Sequence, residues 1–310
     1  MEPEPVTDTP PVDEAGRSRS TALAWVAVAV ILVGVVGLVT YALTHQSTPA
    51  TVTQTARTSP AVLAQLSTVP TATFDQVGVT VPGVALAAPV ATPDQPPLTA
   101  GGRPEVLVVA AEYCPFCAAE RWPLVVALAR FGRFTVLHDA SSSSQSVFPG
   151  TPTFSFAHVG YTSPYVTLTG VELFSSQVGP DGTFIRIATL TPAQAALVAR
   201  YGGAAAGGTA PFVDIGGRLV TTTAAFSPAL LAGQSQSQVA GAVASPTTAV
   251  PSTGSGATTP PTGAAVVAAA NQLSAGICTA TGQRPAAVCL SKGVRAADQS
   301  LGLAQPPAGA

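Results

Sequence analysis

The sequence predicts an α/β protein with a mixed sheet, preceded by one transmembrane helix and followed by a small helical segment that contains a disulfide. Three observations lead to this prediction. Residues 106–110 form an apolar run that ends at a C-P-F-C motif and a series of good helix formers, the pattern of a buried strand followed by a helix. Residues 22–43 carry no charge, and two further cysteines lie in a later segment of helical composition.

The composition argues against a nucleic-acid partner. Of the 310 residues only 9% are charged and 47% are hydrophobic, and the formal net charge is −2. After residue 43, eleven basic residues face ten acidic ones, so the chain offers no electrostatic footprint for a polyanion. We therefore expect no nucleic acid among its partners.

Residues 22–43 are predicted to cross the membrane as one helix. At 1.5 Å per residue, a helix of this length spans about 33 Å, the thickness of a hydrocarbon core. Arg17 and Arg19 flank only its N-terminal side, so the positive-inside rule places the N-terminus in the cytoplasm and the C-terminal domain outside. The alternative is a cleaved signal peptide, but the stretch exceeds a typical h-region of roughly 7 to 15 residues. The expected location is the cell membrane, with a single pass.

The composition divides the chain into six segments. They are a cytoplasmic disordered tail, the transmembrane helix, a stalk rich in Thr, Ser and Pro, the α/β domain, a linker and the C-terminal helical segment. Their predicted ranges are 1–21, 22–43, 44–75, 76–244, 245–263 and 264–301.

Within the α/β domain, residues 134–138 are predicted to be the second strand of a β-α-β unit, parallel to the strand before the motif. Residues 153–159 and 165–172 are predicted to pair as a hairpin in an insertion at about 141–190. A second hairpin is predicted around the Gly216-Gly217 turn. A helix is predicted from Ser227-Pro228 to about residue 243.

Cys114 and Cys117 are the candidate catalytic residues. The first cysteine lies at the helix N-terminus, where unpaired N–H groups and the helix dipole favour a thiolate. Pro115 suits the first turn because its missing N–H would be unpaired there. Cys114 would be the attacking thiolate and Cys117 the resolving thiol.

Two alternatives exist for this cysteine pair, an inert disulfide clip and half of a zinc site. Since neither a second C-x-x-C nor a nearby Cys/His pair is present, we expect no metal, and the cysteines need no cofactor.

Cys278 and Cys289 form the other predicted pair. All four cysteines follow the predicted transmembrane helix, and they therefore lie on the extracytoplasmic side, where disulfides persist. Four cysteines allow three pairings, and local spacing favours Cys114 with Cys117 and Cys278 with Cys289. We expect the second pair to be a structural disulfide; an electron relay with Cys114 is the alternative.

The element order over residues 105–243, together with the letters AEYCPFC, resembles a thioredoxin-like fold. The stretches EYCPFCAAERWPL, RFGRF, TPTFSFAHVGYTSPYV and APFVDIGG are together similar to the membrane-anchored family catalogued as domain of unknown function 929. This resemblance implies the fold, the membrane anchor and the terminal cysteine pair. The family name carries no activity.

The thioredoxin-like resemblance also implies a cis-proline loop against the cysteines. Pro152 matches the familiar TPTF letters, whereas Ala210-Pro211 precedes the Gly-Gly hairpin, which is the topological context that the loop needs. Its position before this hairpin favours Pro211 as the cis-proline. The substrate groove would then be lined by two loop residues and three motif residues. These are Tyr113, Pro115, Phe116, Ala210 and Pro211.

One departure from that resemblance concerns proton transfer. Val108 stands where thioredoxins have a buried carboxylate, six residues before the first cysteine. Glu112, Glu120 or water would have to accept the proton. Glu120 and Arg121 follow the motif on the first turns of the helix and could tune Cys114. Adjacent residues on a helix do not face each other, however, so we expect this pair to lie on a solvated face.

The expected function is a membrane-anchored extracytoplasmic thiol-disulfide oxidoreductase. Its partners would be exported protein thiols or disulfides, together with a membrane redox partner. The alternative is a non-catalytic cell-envelope binding or scaffold module with structural disulfides. Exposure of the Cys114 sulfur distinguishes them, since a redox couple must be reached by its partner whereas a clip can be buried.

Overall fold

The computed structural model describes residues 33–37, 56–203, 207–247 and 261–303. The chain divides into two compact units, residues 1–51 and 52–310. Of the predicted transmembrane helix, residues 33–37 are helical with exposed side chains. The rest of that helix, the tail and residues 44–55 of the predicted stalk lie outside the described residues. The remainder of the predicted stalk is folded into the larger unit, where Val62, Leu66 and Phe74 are buried in the core.

The larger unit is built on a six-stranded mixed sheet. Its strands are β1 (Val90–Ala91), β2 (Thr99–Ala100), β3 (Arg103–Ala110), β6 (Thr167–Glu172), β9 (Phe212–Ile215) and β10 (Leu219–Thr221). The central strand β3 pairs in parallel with β6 and antiparallel with β9, and β10 continues antiparallel beyond β9. The last five residues of β3 are fully buried, as expected of an apolar strand covered on both faces.

Four further strands form two small antiparallel sheets. They are β4 (Arg133–Ser141) with β5 (Pro152–Thr162), and β7 (Phe174–Val178) with β8 (Phe184–Arg186). The prediction of residues 134–138 as the parallel partner of β3 was wrong, and so was the hairpin of 153–159 with 165–172. The Ser163 side chain accepts the N–H groups of Tyr165 and Val166, and this turn directs the chain away from β5 and into the main sheet.

The described residues of the larger unit include eight α-helices and a 3-10 helix. The α-helices are α1 (Pro60–Ser67), α2 (Thr71–Val77), α3 (Pro115–Ala129), α4 (Pro192–Tyr201), α5 (Gln236–Ala244), α6 (Thr262–Ala280), α7 (Ala286–Cys289) and α8 (Lys292–Leu301). The 3-10 helix is Pro228–Leu231. The single helix predicted from Ser227 is therefore divided in two, because Gly233 adopts a φ of 71° between the two parts.

The C-terminal helices belong to the same compact unit as the sheet. Helix α6 packs against α3, α5 and α8, and 17 of its 19 residues are buried. It is the one described helix long and apolar enough to cross a membrane, with a mean hydropathy of 1.2, but 89% of that stretch is buried inside the protein. Burial on all sides marks it as a core helix.

Two contacts fix the C-terminal helices in place. Arg130, at the end of α3, donates hydrogen bonds to Asn271 and Ser274 of α6 at 3.2 and 3.0 Å. The sulfurs of Cys278 and Cys289 are 2.00 Å apart, which confirms the predicted pairing. This disulfide joins the end of α6 to α7.

Candidate functional site

Cys114 and Cys117 lie where β3 ends and α3 begins. Cys114 is the N-cap of α3, its sulfur accepting the N–H of Cys117 at 3.3 Å, and Pro115 is the first helical residue. Both cysteines are free thiols in this structure. The strand, turn and helix predicted around the motif are therefore confirmed.

The two thiols have pKa values displaced in opposite directions. A hydrogen bond from the Cys117 thiol lowers the pKa of Cys114 despite burial, and the N–H groups of Cys117 and Phe116 and the charge of Arg121 act in the same direction. Burial, and next the neighbouring Cys114, raise the pKa of Cys117 well above its ordinary value. Cys114 is thus the thiol that more readily becomes a nucleophile.

Cys114 is covered in this conformation. Its residue is only 1% exposed, and its thiol donates to the Thr209 carbonyl at 3.4 Å. Beside it, the Tyr113 hydroxyl donates to the Gly207 carbonyl at 3.1 Å. The Tyr113 ring stacks on Phe184 of β8, with ring centroids 4.0 Å apart. The sulfur exposure that the redox hypothesis requires is absent from this conformation.

The segment that precedes β9 approaches the cysteines. Thr209 contacts Cys114, Ala210 is half-buried and Pro211 is buried. The expected cis bond at Ala210-Pro211 is not formed, since Arg284-Pro285 is the only cis peptide bond within the described ranges. Even before proline, the trans form is favoured by about 0.5–1 kcal/mol.

The other proline candidate lies farther along α3. Pro152 begins β5, and its carbonyl accepts the indole N–H of Trp122 at 2.9 Å. The next residue, Thr153, donates its hydroxyl to the Ala118 carbonyl. The TPTF letters therefore fix β5 against α3 rather than form a loop over the cysteines. The remaining predicted groove residue, Phe116, is half-buried and lies 6.1 Å from the Phe148 ring.

A buried ion pair lies beneath the motif. Arg121 of α3 donates to Glu172 of β6 through Nε at 3.0 Å and Nη2 at 2.6 Å, and both side chains are 1% exposed. Nη2 also donates to the Ala111 carbonyl at 3.0 Å, in the turn before Cys114. The prediction of a solvated face at Glu120 and Arg121 was wrong. The apolar residues all around this helix were the signal that it is buried on every side.

Two of the proposed proton acceptors are also buried. Glu112 accepts the Ser155 hydroxyl at 2.5 Å, and burial is the main cause of its raised pKa. Glu120 accepts the N–H of Ala225 at 2.8 Å, and burial raises its pKa to about 8. Sequence reasoning missed Ser155 and Glu172, which reach the site from β5 and β6. Ser155 lies in the quoted stretch TPTFSFAHVGYTSPYV, but nothing there marked it as a partner of the site, and Glu172 lies in none of the quoted stretches.

Metal ligands do not converge in the described part of the chain: no group of three or more His, Cys, Asp or Glu residues is placed to hold an ion. Glu112 and Glu172 are already engaged by Ser155 and Arg121. The site that the fold assembles is a pair of thiols above a buried ion pair.

Comparison with known families places the chain. The family model described as "Domain of unknown function (DUF929)" matches residues 91–278, more than half of the sequence. The chain belongs to this family. The matched region extends from β1 through the cysteine motif and α3 to Cys278 in α6. No curated protein and no solved structure matches the chain.

Proposed function

We propose that this DUF929 protein is a membrane-anchored, extracytoplasmic thiol-disulfide oxidoreductase that acts on exported proteins through Cys114 and Cys117. The observation that carries the proposal is the pair of free thiols at the start of α3, with the Cys114 sulfur capping the helix. Their opposite pKa displacements fit an attacking and a resolving cysteine.

The sheet supports a thioredoxin-like fold. The resemblance noted in the sequence implies a β-α-β unit with parallel strands, followed by an antiparallel hairpin whose entry loop meets the cysteines. Strand β3, helix α3 and the parallel strand β6 supply the first part. Strands β9 and β10 supply the hairpin, and Thr209 before it contacts Cys114. On this topology the insertion covers the elements between α3 and β6 rather than about 141–190, because β6 pairs with β3 in the main sheet.

The reaction exchanges two electrons between the pair and a substrate disulfide. The Cys114 thiolate bonds to one substrate sulfur, the substrate S–S bond breaks, and the other substrate sulfur leaves as a thiolate. Cys117 then attacks the Cys114 sulfur, closing the Cys114–Cys117 disulfide and releasing the first substrate sulfur as a thiolate. The proton lost by Cys117 passes to a departing thiolate. The reverse sequence oxidises a substrate dithiol.

The membrane anchor and the compartment rest on the sequence. Residues 22–43 are long and apolar enough to span a bilayer, and Arg17 and Arg19 orient them. The Cys278–Cys289 pair at disulfide distance suits an oxidising, extracytoplasmic setting.

The decisive experiment measures the reduction potential of Cys114–Cys117. The full chain, kept in mild detergent, is equilibrated in glutathione buffers, trapped with a thiol reagent and mapped by mass spectrometry, with Cys114→Ser as the control. A potential between about −120 and −270 mV places the pair among exchange catalysts. A value well below −300 mV, with Cys114 resisting alkylation until the chain is denatured, overturns the proposal.

One observation favours a second candidate, a cell-envelope binding or scaffold module. Cys114 is 1% exposed, as a structural pair would be. The same alkylation measurement separates the two functions, since a scaffold needs no opening that exposes the sulfur.

A further inference from the structure

Arg121 lies on the same face of α3 as the two cysteines. It follows Cys117 by four residues and Cys114 by seven, which are the spacings that bring side chains together along a helix. Long side chains on a helix lean toward its N-terminus. The Arg121 guanidinium does so, because it reaches back to the carbonyl of Ala111, three residues before Cys114.

The hydrogen bonds of Arg121 leave one nitrogen unused. Nε and Nη2 donate to Glu172 and Ala111, whereas Nη1 is buried without a partner in the described part of the chain. An arginine remains cationic at any working pH, and a buried donor without an acceptor is costly. The guanidinium therefore has unused capacity to stabilise a nearby negative charge.

The groups around the guanidinium indicate which negative charge it can stabilise. Glu172 from β6 is its ion-pair partner, and Ser155 from β5 holds Glu112, whose raised pKa favours the neutral form. From the motif, the two thiols face the guanidinium, and Tyr113 lies beside those thiols. The charge of Arg121 lowers the pKa of both cysteines. The Cys114 thiolate is therefore the anion that the unpartnered Nη1 side of the guanidinium can stabilise.

We propose that Arg121 is a positioning residue for the redox pair: its buried guanidinium stabilises the Cys114 thiolate, favours the reduced pair over the disulfide and so raises the reduction potential, while Glu172 moderates its charge. The inference rests on the function proposed above. It follows because only the reduced pair carries a thiolate, so any group that stabilises the thiolate makes the pair more oxidising.

The test compares two substitutions that act in opposite directions. Arg121→Met with Glu172→Gln removes both charges and leaves no lone buried ion, whereas Glu172→Gln alone frees the guanidinium from its counter-charge. We expect the double variant to raise the Cys114 pKa and to shift the equilibrium with glutathione toward the disulfide by about tenfold, or about 30 mV. We expect Glu172→Gln to lower that pKa and to shift the equilibrium toward the dithiol.

Two further variants serve as controls. Arg121→Lys keeps the positive charge, so its reduction potential should lie closer to that of the parent chain than to that of the double variant. Asp214→Asn replaces a buried carboxyl on β9 that Gln95 and Gly217 hold by hydrogen bonds and that lies opposite Leu107 of β3. It should lower the thermal midpoint while leaving the Cys114 pKa and the potential unchanged.

The measurements are the pH dependence of alkylation and the glutathione equilibrium, both on the full chain. If the double variant does not fold, Glu172→Gln alone carries the test. The role of Arg121 is overturned if the glutathione equilibrium constant of every variant stays within threefold of the parent value while only the thermal midpoints fall. A parent chain that forms no Cys114–Cys117 disulfide in any buffer overturns the proposed function instead, and the alkylation pKa still tests Arg121.

Discussion

At the scale of single residues, the candidate site combines a local helix cap at Cys114 with an ion pair between distant parts of the chain. Helix-capping chemistry is local, so four letters sufficed to place Cys114 at the N-terminus of α3. The ion pair of Arg121 with Glu172 joins residues 51 apart in sequence. No spacing rule connects such residues, because tertiary packing alone brings α3 and β6 together.

A buried carboxyl on α3 gives a prediction for stability. The pKa of Glu120 is raised to about 8 from an ordinary 4.5, mainly by burial. Between these two values the unfolded chain has released a proton that the folded chain retains, so the free energy of unfolding falls as pH rises, by about 1.4 kcal/mol per pH unit. Glu120→Gln should remove this pH-dependent loss of stability, because an amide does not titrate. Its oxygen can still accept the Ala225 N–H.

The check is urea unfolding of both chains at pH 5 and pH 8. The stability of the glutamine variant relative to the parent should increase between these values. A difference that is equal at both pH values contradicts the prediction.

At the scale of elements, the sequence identified the strands better than their partners. Strands β4 and β5 have the expected residues, yet they pair with each other instead of extending the sheet. The parallel neighbour of β3 is β6, where Gly170 allows the backbone to pass close to Phe156, since a Cβ there would lie 2.6 Å from it. Pairing depends on such non-local fit, which periodicity does not encode.

The β7–β8 hairpin gives a prediction about access to the site. Phe184 stacks on Tyr113 beside the buried Cys114. Phe184→Ala removes an aromatic pair of about 0.5–1.5 kcal/mol and should increase the rate of Cys114 alkylation at neutral pH about three- to tenfold. Phe134→Ala, which removes the Phe134–Tyr161 pair of the β4–β5 sheet, should leave that rate unchanged. Equal rates in the two variants would show that this stack does not limit access.

Two helical glycines test the packing of α6 against the sheet. A Cβ on Gly276 would lie 2.5 Å from the Leu219 side chain of β10, whereas nothing lies within 4 Å of a Cβ on Gly241 in α5. Gly276→Ala should therefore destabilise the protein by about 1–3 kcal/mol through overpacking. Gly241→Ala should stabilise it by up to about 1 kcal/mol through helix propensity. Denaturant midpoints of the two variants measure both effects, and a stabilising Gly276→Ala would contradict the close packing.

At the scale of the whole molecule, the C-terminal helices are part of the core that holds the site. The sequence correctly paired Cys278 with Cys289 and placed helices around them. It treated the residues after 245 as a segment behind a linker. In the structure α6 packs along α3, and Arg130 finds its hydrogen-bond acceptors on α6. The Ala-rich composition of α6 did not reveal this, because an apolar helix without polar periodicity shows that it is buried but not against what.

This integration predicts that the terminal disulfide stabilises the fold around the cysteine motif. The bridge spans 11 residues, so in the chain-entropy model it contributes about 3 kcal/mol. Trp122 lies on α3, fully buried, and reports on the site. In a Trp25→Phe background, Trp122 is the remaining tryptophan. There, the double substitution Cys278→Ala with Cys289→Ala should lower the urea midpoint of Trp122 fluorescence. Far-UV circular dichroism should show the same transition. An unchanged Trp122 midpoint would mean that the terminal helices unfold independently of α3, because only a cooperative unit transmits the loss of the bridge from α6 to the site.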